Sequence, residues 1–380
     1  MELATLRCPR CRSPLRRTGG GGRLACPGCG GAYPLIASTP ILVPDPALYL
    51  RQSLLSLSDI RDRAASGILE LERVRDDAAF AFRRPLMERA VAALRLHLEI
   101  LDRQRDLLRA QTGPGALVAE RLRRLRDRVA SKLSPTAGTL APPHTAYEFD
   151  NALEHLRTDW AGTPEGEAQI GAIQAAVTAS IRAHLDPPSS RAIYLGAGLG
   201  RHAFDGGRLF SSVLAVELSF AAAALLAAAR AGTVRFARLS WLGADREEDV
   251  VALHEAAVPP LPYAANVTYV VADALALPVA DASVDAVISI FFTDVTPSSR
   301  LLPEVRRVLR PGGHFISTGP LLYHFKARAE QLTRAEMRYV LGRQGFDLEP
   351  AETTFALPCW EVPGSTQTVY RVWSFVATRR

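Results

Sequence analysis

The sequence predicts an α/β chain: a mostly parallel, doubly wound sheet with helical insertions, preceded by a small cysteine ribbon and an α-helical segment. Three observations predict it. A short apolar strand, Ala192 to Leu195, turns through Gly196, Gly198 and Gly200 into a helix, and a second apolar run, Val213 to Val216, ends on Glu217. Five apolar runs, at 192–195, 213–216, 267–271, 284–290 and 313–318, alternate with helical stretches, the pattern of crossover units in a parallel sheet. Two C-x-x-C pairs lie close to the N-terminus.

The chain has 380 residues, enough for two or three domains, and divides into a ribbon (1–50), a helical segment and linker (51–140) and a sheet-containing domain (141–380). With 48% hydrophobic and 22% charged residues and no apolar run of membrane-spanning length, it reads as soluble and cytoplasmic, with no membrane partner. The net charge of +6 is uneven: residues 1–140 are basic and the remainder is slightly acidic. A basic front half on an acidic sheet domain suits recruitment of nucleic acid or an acidic peptide, and suits equally well an Arg-rich solvated face.

Cys8-Pro9-Arg10-Cys11 and Cys26-Pro27-Gly28-Cys29 each present two thiolates from one tight turn. Together they complete a closed tetrahedral zinc site, with Gly19 to Gly22 as the hairpin tip between them. Four cysteine ligands leave no open position, so the zinc is structural.

In the helical segment, Met87, Val91, Leu94, Leu98, Leu101 and Leu108 recur at helical spacing, as do Val118, Leu122, Leu125, Val129 and Leu133. Gln111 to Gly115 breaks the two into a hairpin, an earlier helix covers Ser58 to Phe82, and Pro135 to Pro143 is a linker. These Leu and Arg stripes read as packing surfaces.

The glycine turn is a nucleoside-binding corner. Gly196, Ala197, Gly198 and Gly200 let the backbone turn tightly and approach a ligand, and Glu217 ends the next strand where ribose hydroxyls lie. The spacing is G-x-G-x-G rather than G-x-G-x-x-G, which favours S-adenosylmethionine (SAM) over a dinucleotide. Asp273, followed by Ala274 at the end of the third run, is placed to accept from an adenine amino group. Asp285 reads as a turn residue at a strand start, and Asp294 follows the fourth run, beyond the strand's carboxyl end, where an acceptor sits.

Two resemblances follow from these strings. Leu6 to Pro44 resembles the small zinc-ribbon protein that activates RNA and protein methyltransferases as a separate subunit, which implies a docking or stabilising role. The second rests on GAGLGR at Gly196–Arg201, Glu217-Leu218-Ser219, FFTD at Phe291–Asp294, RPGG at Arg310–Gly313 and GPLLYHF at Gly319–Phe325. It also rests on Asp159-Trp160, Glu165-Gly166 and the insert at 234–266 with Trp241. With these, residues Tyr147 to Arg380 resemble the carnosine N-methyltransferase-like enzymes, a family of class I SAM-dependent methyltransferases with a Rossmann-like sheet.

That resemblance implies methyl transfer from SAM to an imidazole nitrogen of a histidine-containing small molecule or peptide. It implies Arg201 as a clamp on the cofactor carboxylate, Asp294 as acceptor of one imidazole N–H, and His324 and Tyr370 as residues that hold the ring. Each has a plainer reading: Arg201 as a surface residue, Asp294 as a helix N-cap before Thr296-Pro297, His324 as a structural histidine and Tyr370 as core. Cys359, outside the knuckles, reads as a packed thiol. The chain departs from the family in having Thr366-Gln367-Thr368-Val369 before Tyr370 instead of a tyrosine-rich run, and in its front half. Both departures point to an acceptor other than carnosine, such as a longer peptide. An RNA or protein methyltransferase recruiting substrate through its front half, and a non-catalytic module on the same fold, are the other readings.

Overall fold

The computed structural model describes residues 6–18, 20, 22–133, 146–186, 190–241, 244–359 and 367–380. The proposed linker at 135–143, Gly19 and Gly21 of the proposed hairpin tip, and Thr366 lie outside the described residues.

The cysteine segment contributes β1 (Arg16–Thr18), β2 (Arg23–Ala25), β3 (Ala32–Ile36) and β4 (Thr39–Leu42). Helices α1 (Pro46–Asp76), α2 (Arg84–Thr112), α3 (Ala116–Leu133), α4 (Ala146–Trp160) and α5 (Pro164–His184) follow. Then come β5 (Arg191–Leu195), α6 (Arg201–Gly206), β6 (Ser212–Glu217), α7 (Phe220–Ala231), β7 (Val234–Leu239), α8 (Glu247–Val250) and β8 (Val251–Ala256). The chain closes with β9 (Val267–Ala272), β10 (Val284–Ile290), α9 (Ser298–Val308), β11 (Leu309–Gly319), α10 (Arg334–Arg343), β12 (Phe346–Leu348), β13 (Thr353–Cys359) and β14 (Thr368–Arg379).

The main sheet runs β1-β2-β3-β4-β9-β6-β5-β10-β11-β14-β12, with β13 also paired to β14. Strands β9, β6, β5, β10 and β11 are mutually parallel, and they are the five apolar runs of the sequence. Strand β14 runs antiparallel to β11. Ala192 to Leu195 of β5 are buried throughout, as a strand covered on both faces requires. The chain steps outward from β5 to β6 and β9 on one side, and through β10 to β11 on the other. The β5–β10 boundary is therefore the switch point of the sheet, beyond whose carboxyl ends ligands bind in such folds.

Two apolar layers sandwich the sheet. One joins Val177 and Ile181 of α5, Leu225 of α7 and Tyr49, Leu50 and Leu54 of α1 to the inner faces of β5, β6 and β9. The other joins Leu301 and Val305 of α9 and Met337 and Leu341 of α10 to Leu6, Cys8, Leu24 and Tyr33 of the cysteine segment. That segment does not stand apart: β4 lies parallel beside β9, with Ile41 opposite Val271 and Leu42 opposite Ala272.

The helical segment differs from expectation in two places. Helix α1 begins at Pro46, well before Ser58, because Asp45 caps it by accepting from the Leu48 amide at 2.9 Å and Pro46 stands in its first turn. The helix ends at Asp76, short of Phe82. On α3, Val118, Leu122 and Leu125 face solvent, each about 60% exposed, rather than packing. Ala116 and Glu120 are buried instead, Glu120 paired with Arg123 and Arg124, while Arg121 and Arg124 reach Asp59 and Asp62 of α1. The α2 stripe packs as expected, with Met87, Val91, Leu101 and Leu108 buried. Part of α2 covers the hairpin β7–β8, where Leu86, Met87, Ala90 and Ala93 meet Ala237, Val250 and Val251. No described helix is long and apolar enough to cross a membrane.

Candidate active site

The glycine turn follows β5 at the switch point. Gly196, Gly198 and Gly200 all take positive φ, +58°, +53° and +82°, where a side chain is strained. At Gly196 a Cβ would fall 2.3 Å from Cδ2 of Phe292, so the turn leaves room there for nothing larger. At Gly198 nothing lies within 4 Å of the same position, which leaves the backbone open to an approaching ligand.

Glu217 sits across from this opening. One carboxylate oxygen accepts from the Gly198 amide at 2.8 Å, and the other accepts from the Leu218 and Ser219 amides, both at 2.8 Å. The carboxylate thus laces the glycine turn to the turn after β6. A carboxylate offers about four acceptor positions, so any ligand hydroxyl reaching Glu217 would have to share it with the backbone. The Ala197 amide donates to the Val216 carbonyl at 2.9 Å, and the Tyr269 hydroxyl donates to the Gly198 carbonyl at 2.6 Å. Asp273 accepts from the Leu275 amide at 2.9 Å, which fixes its carboxylate at the end of β9, with Ala274 buried beside it.

Arg201 opens α6. Its guanidinium reaches both Glu167 oxygens at 3.0 Å, Asp205 at 3.2 Å and the Asp159 carbonyl at 2.7 Å, and lies 5.3 Å from the Trp160 ring. The charge is already matched by protein carboxylates, so a cofactor carboxylate would have to compete with Glu167 and Asp205 for it. Trp160 donates its indole N–H to the Leu199 carbonyl at 2.9 Å, fastening α4 to the glycine turn. Burial pushes the Asp159 carboxyl up to about 7, against the pull of Arg201. Desolvation and Arg201 together drive the neighbouring His202 ring down to about 3, and its Nδ1 lies 3.1 Å from Gln174.

Strand β10 leads into the second half of the site. Phe291 turns the chain at φ +50°, a conformation a bulky residue rarely holds. Phe292 then lies against Gly196, which joins this turn to the glycine turn. The buried Thr293 hydroxyl lies 2.7 Å from the hydroxyls of both Ser289 and Ser317, fixing the turn to β10 and β11. Asp294, 2% exposed, is not the N-cap of α9, which begins at Ser298 without a side-chain cap. Its carboxylate accepts from the Leu322 amide at 3.0 Å, and its carbonyl accepts from the His324 amide at 3.0 Å. Burial raises the Asp294 carboxyl, while the Leu322 amide and the His324 ring pull it back. Tyr370, on β14, meets Phe291 edge to face with ring centroids 5.6 Å apart. Asp285, at the opposite end of β10, accepts from the Arg191 amide and pairs with Arg310, both at 2.6 Å.

Asp294, His324 and Tyr370 are therefore gathered at one turn, and that turn touches the glycine corner through Phe292. Sequence reasoning missed Phe292, Tyr269 and the hydroxyl trio of Ser289, Thr293 and Ser317. Tyr269 and Phe292 act through partners distant in the chain, and Thr293 joins Ser289 to Ser317 on the next strand, which no local pattern marks.

The four cysteine sulfurs lie within 4.8 Å of one another, with Cys8 and Cys29 3.6 Å apart and Cys11 and Cys26 3.3 Å apart. Tetrahedral zinc with bonds of about 2.3 Å needs sulfurs about 3.8 Å apart, so the four fit structural zinc.

Residues 226–317 match the family described as a methyltransferase domain. The chain carries a methyltransferase domain. Among curated proteins it is similar to carnosine N-methyltransferase of Dictyostelium discoideum, 28% identical over 97 residues, 25% of this chain and 21% of that protein. It is also similar to malonyl-[acyl-carrier protein] O-methyltransferase of Methylococcus capsulatus, 34% identical over 163 residues, 40% of this chain and 49% of that protein. The chain thus spans a fifth and about half of the length of these relatives. Among solved structures, a SAM-dependent methyltransferase of Methanosarcina mazei aligns at 16% identity over 53% of this chain and 96% of its own, with a TM-score of 0.37. Magnesium protoporphyrin IX methyltransferase of Synechocystis, with SAM bound, aligns at 14% identity over 64% of this chain and 100% of its own, also at 0.37.

Proposed function

We propose that the protein is an N-methyltransferase that methylates an imidazole nitrogen of a histidine-containing peptide or small molecule. The reading rests on one observation: Asp294 and His324 are held to each other at the end of β10, with Tyr370 packed on the same turn. SAM, when bound, supplies a sulfonium-borne methyl group. The open face of Gly198 and the Glu217 carboxylate are where this chain would hold it, with Asp273 and Ala274 toward the adenine.

A neutral imidazole has one N–H and one nitrogen lone pair. Asp294 accepts the N–H, which selects the tautomer and aims the other nitrogen at the methyl. His324 and Tyr370 hold the ring on either side. The lone pair forms the new N–C bond as the methyl–sulfur bond breaks onto sulfur. The methylated ring, now cationic, would give its N–H proton to Asp294, which passes it on to water. Burial that raises the Asp294 carboxyl suits it to that proton.

The front of the chain, in the same proposal, is a zinc ribbon (1–50) and helical segment (51–140) fused to the methyltransferase domain (141–380). A transfer assay with labelled SAM, offering carnosine, free histidine, histidine-containing peptides and bulk RNA side by side, tests the acceptor. Label in a histidine compound is the expected result. Label in RNA alone overturns the imidazole reading.

A further inference from the structure

We propose that Tyr49, from the front segment, is a positioning residue of the cofactor corner, and that the cysteine segment and α1 are built into that corner. The proposal rests on the reading that Gly196–Arg201 and Glu217 hold SAM. Tyr49 donates its hydroxyl to the Leu218 carbonyl at 2.5 Å, across 169 residues of chain. Leu218 is the middle residue of the Glu217–Ser219 turn, whose two amides hold one oxygen of the Glu217 carboxylate. The other oxygen holds Gly198. Tyr49 is 6% exposed and Tyr269, which holds the Gly198 carbonyl, is 8% exposed. Two tyrosines of the same apolar layer therefore fix the two turns that Glu217 laces together.

Tyr49 is itself held in place. Only Val43, Pro44 and Asp45 separate β4 from α1, and Asp45 caps the helix at the Leu48 amide. Strand β4 is paired to β9 one residue before Asp273. The Arg7 amide donates to the Pro278 carbonyl at 2.8 Å, so the cysteine segment also grips the chain beyond Asp273. The front segment thus reaches both acidic residues assigned to the nucleoside, Glu217 through Tyr49 and Asp273 through β4. A recruiting arm for substrate would not need either contact.

Removing the hydroxyl leaves the Leu218 carbonyl without this donor and lets the turn move. Tyr49→Phe should weaken SAM binding by about three- to tenfold. It should raise KM for SAM and leave kcat at saturating SAM and acceptor unchanged, because the acceptor turn is untouched. Calorimetry with SAM on the full chain reads the first effect. Absence of binding in the wild-type protein would sink the cofactor reading itself. Binding in the wild type with an equal Kd in Tyr49→Phe would overturn only the role of Tyr49. Hydrogen exchange on the wild-type protein gives a measurement independent of any variant. SAM should protect amides of 46–55 together with those of 215–222, and protection of 215–222 alone would overturn the proposal.

Discussion

Asp294 holds the chain carrying His324 twice, through its carboxylate to the Leu322 amide and through its carbonyl to the His324 amide, each at 3.0 Å. In the proposed mechanism its carboxylate has two tasks, to fix the Gly319–Phe325 segment and to face the acceptor. Asparagine separates them. Its amide oxygen can still accept from Leu322, but the side chain cannot take a proton and presents a donor toward the imidazole N–H. Asp294→Asn should keep the fold and SAM affinity and lose about a hundredfold in kcat. An unchanged kcat would remove Asp294 from the chemistry.

Gly196 and Gly198 differ in what a methyl group would meet. Alanine at either position pays the strain of positive φ, of order 1–3 kcal/mol. At Gly196 it also collides with Phe292. Gly196→Ala should therefore lower Tm more than Gly198→Ala, which meets nothing in the protein. Gly198→Ala should instead weaken SAM binding, because its methyl fills the open approach. Equal loss of Tm in both, with SAM affinity intact in Gly198→Ala, would show that the opening does not face the cofactor.

The cysteine cluster stabilises more than its own loops. Cys8, Cys26 and Tyr33 belong to the apolar layer that covers Val270, Ala272, Leu277 and Val279 around the end of β9. Removing zinc with a chelator should lower Tm of the whole chain and speed exchange of the β9 amides paired to β4. Metal analysis should find about one zinc per chain. Zinc-free protein with an unchanged Tm would leave the four cysteines without a structural metal.

The sheet was legible because parallel strands buried on both faces read as apolar-rich runs between helical stretches, and all five runs became strands. The glycine turn was legible because only glycine tolerates its three positive φ angles. Helical periodicity marks an amphipathic helix without saying which side is buried, and α3 shows the consequence. Val118, Leu122 and Leu125 face solvent while Glu120, paired to Arg123, is buried. The start of α1 was hidden because Asp45-Pro46 reads as loop punctuation as readily as a cap. The contacts of Tyr49 with Leu218 and of Phe292 with Gly196 were invisible, since each joins residues nearly 100 or more positions apart.

Asp159 and His202 set opposing pH dependences beside Arg201. The Asp159 carboxyl is raised to about 7, so the folded chain binds the extra proton and is stabilised as pH falls through 7 toward the unfolded value near 4. The His202 ring is lowered to about 3, so the folded chain resists the proton that the unfolded chain takes up below about 6.5, and stability falls with pH. Between pH 7 and 5 each amounts to about 2 kcal/mol, with opposite sign, so in the wild-type protein the two oppose each other. Asp159→Asn should unmask the histidine, so that Tm drops on acidification from pH 7 to 5. His202→Gln should unmask the carboxyl, so that Tm rises over the same range. If both variants follow the wild-type pH profile, neither group is held in the state that its burial and the charge of Arg201 dictate.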